Sequence, residues 1–105
     1  MELQSHSALV TGGAKRIGRA ISLCLAGAGY AVAIHCNRSE DEAQSLMQEI
    51  ERAGGRCAVL PGDLADNSVA ERLVADAGKT LGPLTLLVNN ASVFEEDSVE
   101  SLSSE

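Results

Sequence analysis

Positive charge is in short supply in this sequence: eight Lys and Arg stand against 15 Asp and Glu, a formal net charge of −7. That field repels a polynucleotide backbone and an anionic membrane surface, so neither nucleic acid nor membrane is expected as a partner. Any phosphate has to be held by a local site. Cysteine is scarce too. Cys24, Cys36 and Cys57 are odd in number and form no C-x-x-C pair, which argues against a disulfide framework and for a reduced compartment. The two histidines, His6 and His35, lie far apart, so no metal site is expected. The start, Met1-Glu2-Leu3-Gln4-Ser5-His6-Ser7, lacks the basic and apolar regions of a signal peptide, and no apolar run approaches the ~18 residues of a membrane span. A soluble, cytoplasmic protein is the expectation. No fixed-period repeat is present.

What is there suits a single domain or part of one. The 105 residues fall below the ~150 typical of a domain, and the 45% hydrophobic share supplies a modest core. Short apolar runs alternate with helical patterns. Ala8-Leu9-Val10-Thr11 reads as a buried strand closed by Gly12-Gly13. Ile17, Ala20, Ile21, Leu23, Cys24, Leu25 and Ala28 then follow helical spacing until Gly27 and Gly29 interrupt it. Ala31-Val32-Ala33-Ile34 is apolar on consecutive residues, as in a parallel strand covered on both faces. Ser39 with Glu42 forms a capping signature for a helix from about Glu40 to Ala53, with an inner stripe of Ala43, Leu46, Met47 and Ile50. Arg56 to Leu60 is a third strand, cut by Pro61-Gly62; Ser68 to Glu71 caps a third helix carrying Val69, Leu73, Val74 and Ala77. Leu84 to Val88 is a fourth strand leading into Asn89-Asn90-Ala91-Ser92. From Glu95 onward the chain is mostly Ser and acidic residues, so residues 93–105 read as a frayed tail or the start of an incomplete helix.

Right-handed crossovers place the first two helices on one sheet face and the third on the other. The expected fold is therefore α/β, a Rossmann-like parallel sheet of order 3-2-1-4 with helices on both faces. Ligands bind such sheets at the carboxyl ends of the strands where the order reverses, here between strands one and four.

Four strand ends carry candidate chemistry. Thr11-Gly12-Gly13-Ala14-Lys15-Arg16-Ile17-Gly18 joins a strand to a helix N-terminus, where amides and the helix dipole attract phosphate. It matches neither G-x-G-x-x-G nor the G-K-[ST] ending of a P-loop, and a glycine turn alone serves equally as an ordinary connection. After strand two, His35-Cys36-Asn37-Arg38-Ser39 has no carboxylate until Glu40. Arg38 and Ser39 can hold a 2′-phosphate there, with Lys15 or Arg16 reaching in, which favours NADP over NAD. Arg38 alone reads equally well as a solvated loop charge, and Ser39 as the helix cap; His35 and Cys36 read as packing residues. Asp63 and Leu64 follow strand three where an adenine would lie, although a polar turn also explains them. Asn89-Asn90 can tie neighbouring strands together, as a plain turn also could.

Taken together, T-G-G-A-K-R-I-G, H-C-N-R-S, G-D-L and N-N-A-S, in this order and spacing, resemble the N-terminal half of a short-chain dehydrogenase/reductase over about Ser7 to Ser92. The R-S after strand two and the K-R in the turn look most like NADPH-dependent pteridine reductases. The resemblance implies that Gly12, Lys15, Arg16 and Ile17 line the pyrophosphate and ribose and that Arg38 and Ser39 meet the 2′-phosphate. It also implies Asp63 and Leu64 at the adenine, and Asn90, Ala91 and Ser92 along the ribose and nicotinamide. Arg16 stands where the family's T-G-x-x-x-G-x-G has its middle glycine, and Ser92 replaces the glycine of N-N-A-G; both departures occur in the pteridine-reductase branch. The family's catalytic Ser and Tyr-x-x-x-Lys belong to its C-terminal half. This chain has one tyrosine, Tyr30, with no lysine four residues on.

The resemblance thus implies an NADP(H)-dependent oxidoreductase, present here as the nucleotide-binding part (residues 1–105) of one Rossmann domain and inactive alone. A carbonyl, imine or pterin-like substrate is expected only in a longer form. The family's homo-tetramer interface would be mostly missing, and the fourth strand would be left as an apolar edge. The alternative is a stand-alone, non-catalytic NADP(H)-binding module. A Rossmann-like methyltransferase is disfavoured, because Cys36-Asn37-Arg38 lacks the acidic residue its ribose would need.

Overall fold

A computed structural model describes residues 6–90. The elements run β1 (Ser7–Val10), α1 (Arg16–Gly27), β2 (Ala31–Cys36), α2 (Glu40–Arg52), β3 (Cys57–Pro61), α3 (Asn67–Leu81) and β4 (Leu86–Val88). The sheet order is β3-β2-β1-β4, and every pairing is parallel. The doubly wound α/β fold expected from the alternation is the one observed.

β1 and β2 are buried along their whole length, as expected for central strands covered on both faces. Alternate β2 residues feed two separate cores. Val32, Ile34 and Cys36 join Ala43, Leu46 and Ile50 of α2, with Ile21, Leu25 and Ala26 of α1 packed alongside. Ala31 and Ala33 turn the other way and meet Ala77 and Leu81 of α3, together with Leu9. Burial of a side chain such as Leu46 or Ile50 contributes about 1.5–3 kcal/mol, so α2 is fastened mainly by three residues one and two turns apart. Helices α1 and α2 also share a surface ion pair between Arg19 and Glu49.

Several local expectations are corrected. The inner face of α1 is Gly18 and Ser22, whereas Ile17, Ala20, Cys24 and Ala28 are exposed. Small residues are what let this helix approach the turn that precedes it. Strand β3 includes Pro61, paired with Cys36; an edge strand has one ladder only, so a residue without an N–H is tolerated there. The ladder continues through Gly62, whose N–H donates to the Cys36 carbonyl at 3.0 Å. Helix α3 is capped by Asp66, whose carboxylate accepts from the Ser68 N–H at 2.9 Å and the Ser68 hydroxyl at 2.7 Å. Ser68 is therefore the partner of the cap, and Val74 points to solvent, 46% exposed. β4 begins at Leu86 rather than Leu84. Residues 93–105, expected to form a tail, lie outside the described residues.

At the start of the sheet, the Ser7 hydroxyl donates to the Pro83 carbonyl at 2.7 Å, and the Thr85 N–H and hydroxyl donate to the Ser7 carbonyl. This clasp aligns β4 with β1. Their carboxyl ends, Val10 and Val88, are thereby brought side by side.

Candidate dinucleotide site at the strand ends

The turn after β1 is shaped by close backbone approach. Gly12 takes φ +62°, a left-handed conformation open to glycine at little cost. Gly18 sits so close behind it that a Cβ would lie 2.0 Å from the Gly12 carbonyl oxygen and 2.7 Å from Asn90 Nδ2. Only glycine fits. Arg16, at the position where the family pattern has a glycine, takes φ +54° and is the described non-glycine residue in that region. Left-handed backbone costs an L-residue about 1–2 kcal/mol, so this arginine is held against a conformational penalty.

Side chains from β2, α1 and the end of β4 pin the turn. The Asn90 amide donates to the Gly12 carbonyl at 3.1 Å. The Gly12 N–H donates to His35 Nδ1 at 2.9 Å, and the Gly13 N–H donates to the His35 carbonyl at 2.9 Å. The buried Ser22 hydroxyl donates to the Gly13 carbonyl at 3.2 Å. Thr11 joins β4 through its N–H, which donates to the Val88 carbonyl at 3.0 Å. Asn90 thus has the strand-tying role foreseen for an amide there. His35 does not merely pack, as the sequence suggested; its ring is a hydrogen-bonding bridge.

The charges around α1 are unusual for a helix N-terminus. Lys15 is the N-cap residue and Arg16 opens the helix, both exposed, with no acidic residue in the first turn. Helix α2, by contrast, has Glu40, Asp41 and Glu42 in its first turn, the arrangement the helix dipole favours. Two cations beside the positive end of a dipole repel it unless an anion joins them. The first-turn amides of α1 precede any intrahelical acceptor, so the place suits a phosphate in both charge and hydrogen bonding. Ile17, 69% exposed, presents an apolar surface at the same helix end.

After β2, Arg38 is exposed and Ser39 half-buried. Ser39 occupies the N-cap position of α2, but its side chain makes no capping hydrogen bond. The cap expected of the Ser39 hydroxyl is therefore not made, and the Ala43 N–H donating to the Ser39 carbonyl at 2.9 Å is the first bond of the helix itself. After β3, Asp63 Oδ1 accepts from the Ala65 N–H at 3.0 Å, the polar-turn role, while the side chain stays exposed; Leu64 beside it is half-buried. Ala91 and Ser92 lie outside the described residues. The structure therefore gathers Gly12, Lys15, Arg16, Ile17, Arg38, Ser39, Asp63, Leu64 and Asn90 at the carboxyl edge of one sheet.

A separate groove of about 460 Å³ lies at the opposite edge, lined among others by Tyr30, Glu49, Ile50 and Arg56. It contains none of the motif residues. Among the described residues no group of three or more His, Cys, Asp and Glu could hold a metal ion, and no helix is long and apolar enough to cross a membrane. The cysteines are free; burial pushes the Cys57 thiol up to about 11, with help from Glu51.

A family model described as short chain dehydrogenase matches residues 6–105. The chain belongs to the short-chain dehydrogenase family. It is 40% identical over 99 residues to an uncharacterized oxidoreductase, YgfF, of Escherichia coli, spanning 93% of this chain and 40% of that protein. It is 35% identical over 102 residues to a short-chain dehydrogenase/reductase homolog, YusS, of Bacillus subtilis, spanning 97% of this chain and 94% of YusS. In structure it is similar to FolM alternative dihydrofolate reductase 1 from Brucella suis, solved in complex with NADP. The TM-score is 0.82 and the identity 47%, over 88% of this chain and 36% of that one. The chain thus spans about two fifths of YgfF and most of YusS.

Proposed function

We propose that this chain binds NADP(H) at the carboxyl edge of its sheet and forms the nucleotide-binding part of a short-chain oxidoreductase of the pteridine-reductase type. One observation carries the reading: two cations at the acid-free N-terminus of α1, joined by the exposed Arg38 at the next strand end, in a chain whose net charge is −7. Three cations grouped against the overall field suit a ligand with several phosphates, and Arg38 stands where an NAD-dependent member would carry a carboxylate. The likeness to a Brucella protein solved with NADP supports the same cofactor.

In this reading the turn from Gly12 to Ile17 receives the pyrophosphate, and Arg38 with the uncommitted Ser39 hydroxyl receives the 2′-phosphate. Asp63 and Leu64 border the adenine. Asn90, Ala91 and Ser92 follow the ribose towards the nicotinamide, and Asn90 acts by holding the Gly12 carbonyl. The residues fit the group, which when bound supplies a hydride. A pterin-like substrate is the reading that the FolM likeness supports, with other carbonyl or imine compounds as the wider class. Proton transfer belongs to the Tyr-x-x-x-Lys that this sequence does not contain.

The second reading, a non-catalytic NADP(H)-binding module, is favoured by one fact: YusS, matched over 94% of its length, is of similar extent. Substrate-dependent NADPH oxidation by the 105-residue chain would exclude it. Cofactor choice is tested by titrating the full chain and Arg38→Ala with NADPH and NADH. Loss of one charge-assisted phosphate contact is expected to cost about 1.5–3 kcal/mol of NADPH affinity, with NADH affinity unchanged. An unaltered NADPH to NADH ratio removes Arg38 from the site.

A further inference from the structure

His35 is the last residue but one of β2 and is only 2% exposed. It shares a sheet face with Ala31 and Ala33, on the α3 side. Leu60, its partner in the β2–β3 register, packs into the apolar cluster of that face with Leu9 and Ala58. A polar ring in this place needs partners on both nitrogens. It has them. Nδ1 accepts the Gly12 N–H at 2.9 Å, and Nε2 lies 2.8 Å from the Gly62 carbonyl oxygen.

Both partners are backbone groups of one kind only, an N–H that donates and a carbonyl that accepts. Together they specify one protonation state: Nε2 carries the hydrogen and Nδ1 is bare. The cationic ring has no lone pair for Gly12. The ring therefore spans from the turn after β1 to the loop after β3, the two segments that carry the phosphate and adenine ends of the candidate site.

We propose that His35 is a positioning residue for the dinucleotide site, its neutral Nε2–H ring locking the Gly12 turn to the Gly62–Asp63 loop so that the two ends of the site keep their spacing. This rests on the NADP(H) reading given above. The next peptide is held on both sides, its Gly12 carbonyl by the Asn90 amide and its Gly13 N–H by the His35 carbonyl, so the turn is fixed jointly from β2 and the end of β4.

Two substitutions separate this role from filling space. Asparagine places Oδ1 where Nδ1 stands and keeps an acceptor for Gly12. Glutamine places its amide near Nε2, keeps the donor to Gly62 and loses the acceptor. Gln is also closer to His in size. Each variant thus keeps one end of the bridge and frees the other, so NADPH titration of the full chain is expected to weaken both His35→Asn and His35→Gln about tenfold or more. Native affinity in either folded variant overturns the proposal while leaving the cofactor reading intact; absence of NADPH binding by the unaltered chain overturns both. Should either variant lose its circular-dichroism signature of folding, nitrogen NMR of the native imidazole decides. A bare Nδ1 and a protonated Nε2 support the bridge, and an Nδ1–H or averaged ring overturns it.

Discussion

A buried imidazole that must stay neutral ties stability to pH. Burial pushes the His35 pKa below its ordinary 6.5, against smaller upward pulls from the Gly62 carbonyl and the Asp63 carboxylate. The charged groups on this side are few: β1 and β3 contribute apolar side chains, the β3–α3 loop contributes Asp63, and α3 begins with the Asp66 cap and carries Arg72 beside Gly62. Because the folded pKa is depressed, the unfolded chain binds the proton more readily as pH falls. The stabilisation is whole above about pH 6.5 and is lost progressively below it. Denaturant midpoints measured from about pH 7.5 to 5.5 are expected to fall for the native chain and to fall less for His35→Asn. Equal slopes would mean that the ring is protonated without cost. Nothing in the sequence announced this role, since a histidine in an apolar strand looks the same whether it packs or bridges; only the distances to Gly12 and Gly62 separate the two. Arg38, by contrast, was legible because what it replaces, a carboxylate at the end of strand two, is specified by the chemistry of a ribose.

At the scale of the element, the junction between β1 and α1 depends on the missing Cβ of Gly18. A methyl group there meets the Gly12 carbonyl carbon and oxygen, which are backbone and cannot swing aside. Gly18→Ala is expected to destabilise the chain by about 2–3 kcal/mol and to displace the turn, measured by denaturant unfolding and by the Gly12 amide resonance. Gly27, near the end of the same helix, has nothing within 4 Å of where an alanine methyl would stand, so Gly27→Ala is the control and should stabilise by about 0.5–1 kcal/mol. The order and handedness of the elements were legible, because consecutive apolar residues in β2, glycine stops and right-handed crossovers permit few arrangements. Their ends and inner faces were less so. Apolar count favoured Ile17 and Cys24 as the buried side of α1, whereas the requirement at that face is smallness, met by Gly18 and Ser22. The start of α3 was ambiguous because Asp66 and Ser68 are both good caps, and which one accepts depends on backbone geometry.

For the molecule as a whole, the two faces of the sheet are unequally covered. Helices α1 and α2 close one face, while α3 lies over β3, β2 and β1 on the other. Leu87 of β4 pairs with Leu9 and so shares the α3 face, yet it is 57% exposed. Among the described residues β4 is also a sheet edge, with unpaired backbone groups beside that exposed leucine. An apolar edge of this kind is a template for pairing with another chain, and a lysine on it opposes such pairing by charge and desolvation. The net charge of −7 gives only diffuse protection, since salt screens it beyond about 8 Å at physiological ionic strength. Leu87→Lys is therefore expected to lower concentration-dependent light scattering of the full chain and to change its unfolding free energy by no more than about 0.5 kcal/mol. NADPH affinity should not move, because the site lies at the ends of the strands and Leu87 lies on the sheet face. A loss of about 2 kcal/mol or more, the cost of one buried leucine, would instead show that Leu87 is covered in solution. The sheet face would then be closed by chain outside residues 6–90 or by a second copy, and dilution of the native chain would separate these cases, since only the second copy dissociates.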